Sequence, residues 1–256
     1  MGEMNWETSI TEIKPNSVRV RGYPIDKLMG ETSFGAGVYL LLKGELPDEK
    51  TGRLMDAILL SSVDHGATPP SVLAARTVAS TGSALNACVA AGILAISESH
   101  GGAIENCMRT ILEIKQLIDG GMEQKAAVEK LLADYKSVKK RVSGMGHRIH
   151  TADPRTDRMF MIASESGVHG RFICILKTVE EVLAEQGKKL PINVDGAIAA
   201  ILCELEFDPA LANGFFMIAR TVGLVAQVHE EKTTMRRMRK IHPTDTTYTG
   251  PEVREP

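Results

Sequence analysis

The sequence predicts an all-α fold, and three observations support that prediction. Aromatic residues make up only 4% of the 256 residues, whereas Ala, Gly and Met are plentiful, and helices of this composition can pack closely. Apolar residues recur at helical spacing in most segments, and several of these segments end at Gly or Pro. Polar and apolar residues alternate over residues 16–22, which predict a short strand or an extended arm.

The expected helices follow one another with start and stop signals in the sequence. Gly44 and Pro47 end the first of the long helices, and the pair Pro69-Pro70 precedes another. Asp153 can cap a helix whose first position is Pro154. The predicted helical segments are 32–42, 54–63, 70–78, 84–97, 105–118, 123–142, the stretch after 154, 171–186, 193–205 and 210–231.

Two of these helices differ in their expected surroundings. The segment 84–97 is rich in Ala, Gly and Cys, so we expect a buried helix in close contact with others. The segment 123–142 carries seven lysine or glutamate residues and predicts a solvated helix.

Charge and cysteine usage exclude several classes of protein. Lys and Arg number 30 against 32 Asp and Glu, so the net charge of −2 gives no general attraction to nucleic acid or to an anionic membrane. The longest apolar stretch, 87–96, is too short to cross a bilayer, and the N-terminus lacks the apolar core of a signal peptide. We therefore expect a cytoplasmic protein without membrane contact. The four cysteines form no C-x-x-C pair and are expected to be buried free thiols: Cys88, Cys107, Cys174 and Cys203.

Three short motifs place a titratable side chain among small residues. They are Ser-His-Gly-Gly-Ala around His100, Gly-Met-Gly-His-Arg around His147 and Asn-Val-Asp-Gly around Asp195. Two imidazoles and one carboxylate suffice to make or break a carbon–carbon bond next to a thioester. One group moves the proton on carbon, one holds the enolate oxygen and one handles the hydroxyl or carbonyl of the other fragment.

Each of these residues also has a purely structural interpretation. His100 could interact with the C-terminal end of a helix, and Asp195 could cap the helix that it begins. His147 and His150 could be metal ligands, but no further Cys or His nearby completes a set, so no metal site is expected. Arg220 lies within an apolar helix, where it either binds a substrate carboxylate or forms a structural ion pair.

Other polar segments are less informative by themselves. Arg155 adds a positive charge after Asp-Pro, and the basic run 236–240 is typical of a solvated tail. His65, in Asp-His-Gly, indicates nothing alone. A serine hydrolase of the nucleophile-elbow type is excluded, because no G-x-S-x-G motif occurs.

Taken in order, the motifs resemble those of the citrate synthase superfamily over nearly the whole chain. A single motif would be weak evidence, whereas their collinear order is highly specific. The matching segments are RGYPIDKL (21–28), YLLLKGELP (39–47), the His65 turn, HGGA (100–103), GMGHRIHTADPR (144–155), NVDG (193–196) and ARTVGLVAQ (219–227).

The resemblance implies roles for these residues. In the superfamily the matching positions of His100, His147 and Asp195 are catalytic. The arginines that match Arg155 and Arg220 bind substrate carboxylates. A further arginine comes from the neighbouring subunit of a dimer.

That subunit-crossing arginine is expected at Arg237, with Arg236 and Arg239 as alternatives, and His65 is a further expected substrate contact. Coenzyme A, as part of the substrate, is expected to lie along the loop of Gly144, Gly146 and Arg148. No separate cofactor is expected.

The resemblance also implies an architecture, a reaction and partners. The fold would be all-α and citrate synthase-like, with a large domain (1–103 and 191–256) and a small one (104–190). Only a short segment separates GELP from His65, a compact layout that resembles citryl-CoA lyases and the C-terminal module of ATP citrate lyases.

We therefore expect cleavage of citryl-CoA to acetyl-CoA and oxaloacetate by a homodimer or a higher homo-oligomer, supplied by a citryl-CoA synthetase and acting in the reductive tricarboxylic acid cycle. A citrate or 2-methylcitrate synthase, and a noncatalytic assembly subunit, are the alternatives.

Overall fold

The computed structural model describes residues 6–146 and 153–238, together with single positions nearer the C-terminus. Helices dominate this part of the chain, so the all-α prediction is confirmed. The strands are β1 (Thr11–Lys14), β2 (Ser17–Val20) and β3 (Tyr23–Pro24), and the helices are α1 (Ile25–Leu28), α2 (Phe34–Lys43), α3 (Glu49–Ser61), α4 (Pro70–Ser80), α5 (Leu85–Leu94), α6 (Ala103–Asp119), α7 (Gln124–Ser137), α8 (Pro154–Glu165), α9 (Arg171–Glu185), α10 (Val194–Glu204) and α11 (Pro209–Thr234).

The predicted strand is β2, and it belongs to a small antiparallel sheet of order β1-β2-β3. Thr11 pairs with Val20 at one end of the β1–β2 ladder, and Arg19 pairs with Pro24 between β2 and β3. The sequence analysis missed β1 and β3 because both are short, and because β1 is largely exposed and lacks an apolar face.

Helix α10 forms the centre of the main core. Almost all of its side chains are buried, and it packs against α6, α8 and α9. The same cluster of buried residues runs from Leu54 on α3 through Ile104 on α6 to Ile175 on α9. The division into a large domain and a small domain (104–190) stays a prediction.

A second, smaller cluster joins α4, α5 and α11. Gly92 of α5 permits their close approach, since a Cβ there would meet Leu224 Cδ1 at 2.8 Å and Ser71 O at 2.9 Å. Helix α5 is nevertheless covered on one side only: Leu85 is exposed and Leu94 is 83% exposed. The prediction of a buried helix over 84–97 is therefore wrong for the single chain, because α4 and α11 cover too little of an all-round apolar surface.

Other local predictions can be compared directly. Asp153 caps α8 by accepting from Arg155 N at 3.0 Å, as the Asp-Pro signal predicts. Helix α7 ends at Ser137, earlier than expected, since Lys139 takes a φ of +57°. Of the four cysteines three are buried, but Cys174 is exposed, so that part of the prediction is wrong.

Helix α11 is the one described helix that is long and apolar enough to span a membrane. Its most apolar window has a mean hydropathy of 1.4, and 44% of that window is buried within the chain. Core helices of soluble proteins pass the same test of length and composition, and α11 carries the buried Arg220 and Glu231.

Candidate active site

Several of the candidate residues line one cavity of about 470 Å³. The cavity lies where the ends of α3 and α5 meet the beginnings of α8 and α10 and the middle of α11. The candidate residues that line it are His65, His100, Gly146, Arg155, Asp195 and Arg220.

His100 is held in a tight turn between α5 and α6. The backbones of Ser97 and His100 exchange two hydrogen bonds, at 2.9 and 3.0 Å. Gly101 follows with a φ of +87°, and a Cβ there would come within 2.8 Å of the Phe216 ring. His100 Nε2 lies 2.8 Å from the hydroxyl of the buried Ser71, at the start of α4. These contacts fix the imidazole against the cavity wall.

The surroundings of His100 favour its neutral form. Burial lowers the pKa of His100, and the positive charges of Arg220 and His65 lower it further. A neutral imidazole can donate one N–H to a developing oxyanion without delivering its proton. Helix α5 already ends at Leu94, so His100 lies beyond the helix end, and the structural alternative of a helix-terminal histidine is wrong.

Asp195 stands in the first turn of α10, but it is not the helix cap. Asn193 is the cap, and its side-chain oxygen accepts from Gly196 N at 3.1 Å. The capping alternative for Asp195 is therefore wrong, and its carboxyl group is not needed to begin the helix. Burial raises the pKa of Asp195, Asp153 adds to that rise, and the charges of Arg155 and Arg220 oppose it.

Arg155 is oriented by a fork on Asp153. Its Nε donates to Asp153 Oδ1 at 3.0 Å and its Nη2 to Oδ2 at 2.9 Å, while Nη1 donates to the carbonyl of Ser61 at 3.2 Å. Burial alone would raise the pKa of Asp153, but the hydrogen bonds and charge of Arg155 outweigh it and lower that pKa. The paired carboxylate leaves the Arg155 guanidinium preorganised at the cavity wall.

Arg220 is buried and has few partners. Its Nε donates to the carbonyl of Ser62 at 3.2 Å, and its guanidinium carbon lies 4.6 Å from the centre of the Phe216 ring. Among the described residues, no group accepts a hydrogen bond from its buried Nη1. Burial lowers the pKa of Arg220, although Asp64 and Asp195 oppose that effect. A buried guanidinium with an unused donor suits a substrate carboxylate better than a structural ion pair.

The glycine loop before His147 is attached to the start of α10. Gly146 N donates to Pro191 O at 2.6 Å, and Asn193 Nδ2 donates to Gly146 O at 2.7 Å. Gly144 has a φ of +81°, and a Cβ there would lie 2.6 Å from Cys107 Sγ and 2.8 Å from Gly196 Cα. The loop therefore reaches the cavity only because both of its glycines lack a side chain.

The remaining candidates are not part of this cavity or fall outside the described residues. Arg236 and Arg237 line a separate groove of about 110 Å³ between the ends of α4 and α11, close to Gly82. The predicted residues that lie outside the described residues are His147, Arg148, His150 and Arg239. In the described ranges no group of three or more His, Cys, Asp or Glu could hold a metal ion.

Sequence reasoning missed three residues that shape the cavity. The Ser71 hydroxyl lies beside His100, and the rings of Phe216 and His100 stand nearly at right angles with their centroids 5.6 Å apart. Asp153 orients Arg155 as well as capping α8. The Asp-Pro-Arg spacing could have indicated the fork on Arg155. Nothing in the local sequence connects Ser71 with a histidine 29 residues later.

An all-α fold with a buried and a half-buried arginine, a hydrogen-bonded histidine and a carboxyl group of raised pKa around one cavity defines a citrate synthase-like protein. Residues 47–244 match the family model for citrate synthase, C-terminal domain. The chain belongs to this family.

Individual relatives place the chain more closely within the family. A solved structure of citryl-CoA lyase from Hydrogenobacter thermophilus is 44% identical, with a TM-score of 0.88 and coverage of 98% of this chain and 96% of that one. Citrate/2-methylcitrate synthase of Bacillus subtilis is 29% identical over 215 residues, 81% of this chain and 55% of that protein.

ATP-citrate synthase subunit 1 of Sordaria macrospora is 24% identical over 269 residues, which cover 97% of this chain and 39% of that protein. The chain thus spans about two-fifths of the length of this relative.

Proposed function

We propose that the protein is a citryl-CoA lyase, which cleaves citryl-CoA to acetyl-CoA and oxaloacetate. The observation that carries this proposal is the 44% identity to a citryl-CoA lyase over nearly the full length of both chains. The cavity supports it, since two buried or oriented arginines, Arg155 and Arg220, suit a substrate that carries carboxylates.

In the proposed reaction, the bond between the tertiary carbon and the acetyl CH₂ carbon breaks. His147 takes the proton from the tertiary hydroxyl, the C–O bond becomes the ketone of oxaloacetate, and the bonding electrons leave with the acetyl-CoA enolate. His100 donates a hydrogen bond to the enolate oxygen, and Asp195 protonates the enolate carbon. The raised pKa of Asp195 favours a carboxyl group that carries a proton, and the lowered pKa of His100 favours a neutral imidazole, which are the forms that these two roles need.

The same proposal assigns the binding of the substrate. The oxaloacetate half lies against Arg155, Arg220 and His65. Coenzyme A follows the glycine loop at Gly144 and Gly146, continuing to Arg148, where backbone groups meet its adenine and phosphates. No metal or separate cofactor enters these steps, so full activity after treatment with EDTA is expected.

The principal alternative is a citrate or 2-methylcitrate synthase, favoured by the 29% identity to the Bacillus subtilis enzyme. The same three groups serve the reverse condensation, so the two reactions differ in whether the thioester is hydrolysed. Purified protein incubated with citryl-CoA should yield acetyl-CoA and oxaloacetate faster than free CoA. Predominance of citrate and free CoA would make the protein a synthase, and absence of any turnover would favour a noncatalytic assembly subunit.

We also propose that the working unit is a homodimer or a higher homo-oligomer. Helix α5 presents Leu85 and Leu94 to solvent, and α11, which shares the small cluster with α5, exposes Val222 and Val225. Apolar surface of this kind, on helices otherwise packed together, is typical of an interface between copies. From the edge of this surface Arg237 would enter the cavity of the neighbouring subunit.

A complementation experiment tests the shared site. An Arg237→Ala chain and an Asp195→Asn chain are each expected to be inactive alone. In a mixed dimer one cavity carries both defects and the other carries neither, so activity should partly return. If mixed dimers form without recovery, each site is built from one chain and the basic run 236–240 is a solvated tail.

The proposed substrate is a thioester that must first be formed from citrate and CoA, so a citryl-CoA synthetase is the expected partner enzyme. We place both in the cytoplasm and in the reductive tricarboxylic acid cycle. Fractionation of cells from the source organism, with activity measured in the soluble and membrane fractions, tests the location.

A further inference from the structure

Behind the loop that carries His65, four side chains form a continuous line of hydrogen bonds. The buried Glu231 of α11 accepts from Arg76 Nε of α4 at 2.7 Å. Arg76 Nη1 donates to Gln227 Oε1 at 2.6 Å. Gln227 Nε2 in turn lies 3.3 and 3.2 Å from the two carboxylate oxygens of Asp64, the residue before His65. We call these four residues the polar chain.

The polar chain fixes which way the Gln227 amide points. An arginine side chain only donates hydrogen bonds, so the oxygen of the amide must face Arg76 and its NH₂ group must face Asp64. Arg76 is itself buried, and its charge is balanced by Glu231 and by Glu230, whose carboxylate lies 3.6 Å from Nη2. The buried arginine thereby orients a donor toward the exposed Asp64.

Asp64 in turn shapes the turn around His65. Its Oδ2 accepts from Gly66 N at 3.0 Å, which closes the backbone over His65, and Gly66 has a φ of +75°. The loop rests directly on α11, since a Cβ at Gly223 would lie 2.2 Å from Val63 O and 3.1 Å from Asp64 Oδ1. Close backbone contact and one amide donor thus both help to determine where His65 meets the cavity.

We infer that Gln227 is a positioning residue for substrate binding: it holds Asp64 and so keeps His65 at the cavity wall. This inference rests on the proposed function, in which His65 contacts the oxaloacetate half of citryl-CoA. The neighbouring carbonyl of Ser62 also accepts from Arg220, so a displaced loop loosens a second contact to the same half. Loss of the polar chain therefore weakens binding of that half more than it slows proton transfer.

The decisive variant is Gln227→Glu, which keeps the size of the side chain. The introduced carboxylate still accepts from Arg76, but it places a second negative charge against Asp64. We expect the Kd for oxaloacetate and the KM for citryl-CoA to rise about tenfold, as for loss of a hydrogen bond to a charged group, with kcat little changed. Gln227→Met, which removes both hydrogen bonds without adding charge, should reproduce the direction of the effect.

The rescue is the double variant Gln227→Glu with Asp64→Asn. The amide introduced at position 64 can donate to the carboxylate introduced at position 227, while its oxygen still accepts from Gly66 N. The polar chain is thus restored with the donor and acceptor exchanged. Binding should return toward wild type in the double variant, and Asp64→Asn measured alone completes the cycle. In a His65→Ala background, Gln227→Glu should add a smaller loss than in wild type, because only the contact of Arg220 with the Ser62 carbonyl is left to be loosened.

Two results would overturn the inference. One is an unchanged Kd for oxaloacetate in folded Gln227→Glu protein, with folding checked by thermal unfolding. The other is failure of the double variant to recover. If wild-type protein neither binds oxaloacetate nor cleaves citryl-CoA, the proposed function fails. Hydrogen exchange of the backbone amides over 62–67 then tests separately whether Gln227 positions the loop. Faster exchange in Gln227→Glu with recovery in the double variant supports this positioning, whereas equal exchange refutes it.

Discussion

Asp195→Asn separates the chemical role of this carboxyl group from any structural role. The substitution keeps the shape of the side chain but removes the proton that, in the proposed mechanism, Asp195 gives to the enolate carbon. General acid–base groups contribute about 100- to 10,000-fold to a rate, so kcat for citryl-CoA cleavage should fall at least about 100-fold. The KM should change little, because Arg155 and Arg220 still hold the carboxylates.

Although Asp195→Asn should lower the rate, it should raise the stability of the folded chain. The pKa of Asp195 is raised in the folded chain above its ordinary value of 3.8, chiefly by burial. As pH rises above 3.8 the unfolded chain ionises first, so the native state loses stability until the folded pKa is passed. The penalty at higher pH is about 1.4 kcal/mol for each unit by which the pKa is raised. Asparagine does not titrate, so the variant should be more stable than wild type at neutral pH.

The assay combines steady-state kinetics with thermal unfolding as a function of pH, upward from the ordinary pKa of 3.8, because the raised pKa of Asp195 acts above that value. Asn193→Ala is the control for loss of structure, because it removes the cap of α10 together with the hydrogen bond to Gly146 O, and it should cost at least about 1 kcal/mol of stability. Near-normal turnover of Asp195→Asn together with reduced thermal stability would refute the assignment. Such a result would mean that the carboxyl group stabilises the helix rather than protonating the product.

Three further predictions concern the shape of the cavity. Gly196→Ala should destabilise the fold by about 1–3 kcal/mol in urea unfolding, because its Cβ would meet a backbone oxygen at 2.3 Å, whereas Gly214→Ala, with open space around it, should be neutral or stabilising. Ser71→Ala should lower kcat about tenfold by freeing the His100 ring, while leaving the circular dichroism spectrum unchanged. Asp153→Asn should raise the KM for citryl-CoA, which steady-state kinetics measure. Because the pKa of Asp153 is lowered in the folded chain, the ionised carboxylate stabilises wild type above pH 3.8, and this stability is lost as the pH falls. The variant should lack this contribution in acid unfolding.

Sequence alone predicted the parts of the fold and cavity that are encoded locally. The helices follow from apolar spacing and from caps such as Asp153-Pro154, whose role the structure confirms. The motifs around His100, Asp195 and Arg220 could be recognised because each holds its key residue in a short, ordered pattern. Their meeting in one cavity followed from the collinear resemblance.

The features that sequence reasoning missed depend on contacts between distant segments. Gln227 and Asp64 are 163 residues apart, and nothing near either of them signals a pair. The exposure of α5 could not be read from its composition, because an all-round apolar helix looks the same whether its own chain or another copy covers it. The sequence analysis considered only Asp195 as a cap of α10 and missed Asn193, because both side chains are able to cap and the local sequence does not fix where the helix begins.

Cleavage of citryl-CoA in D₂O tests the proposed reaction most directly. Enolate protonation by Asp195 in exchange with solvent predicts acetyl-CoA that carries one deuterium in its methyl group at early times, formed in equal amount with oxaloacetate. Mass spectrometry of the thioester and a coupled assay of oxaloacetate measure both products. Release of free CoA and unlabelled citrate as the main products would contradict the lyase assignment.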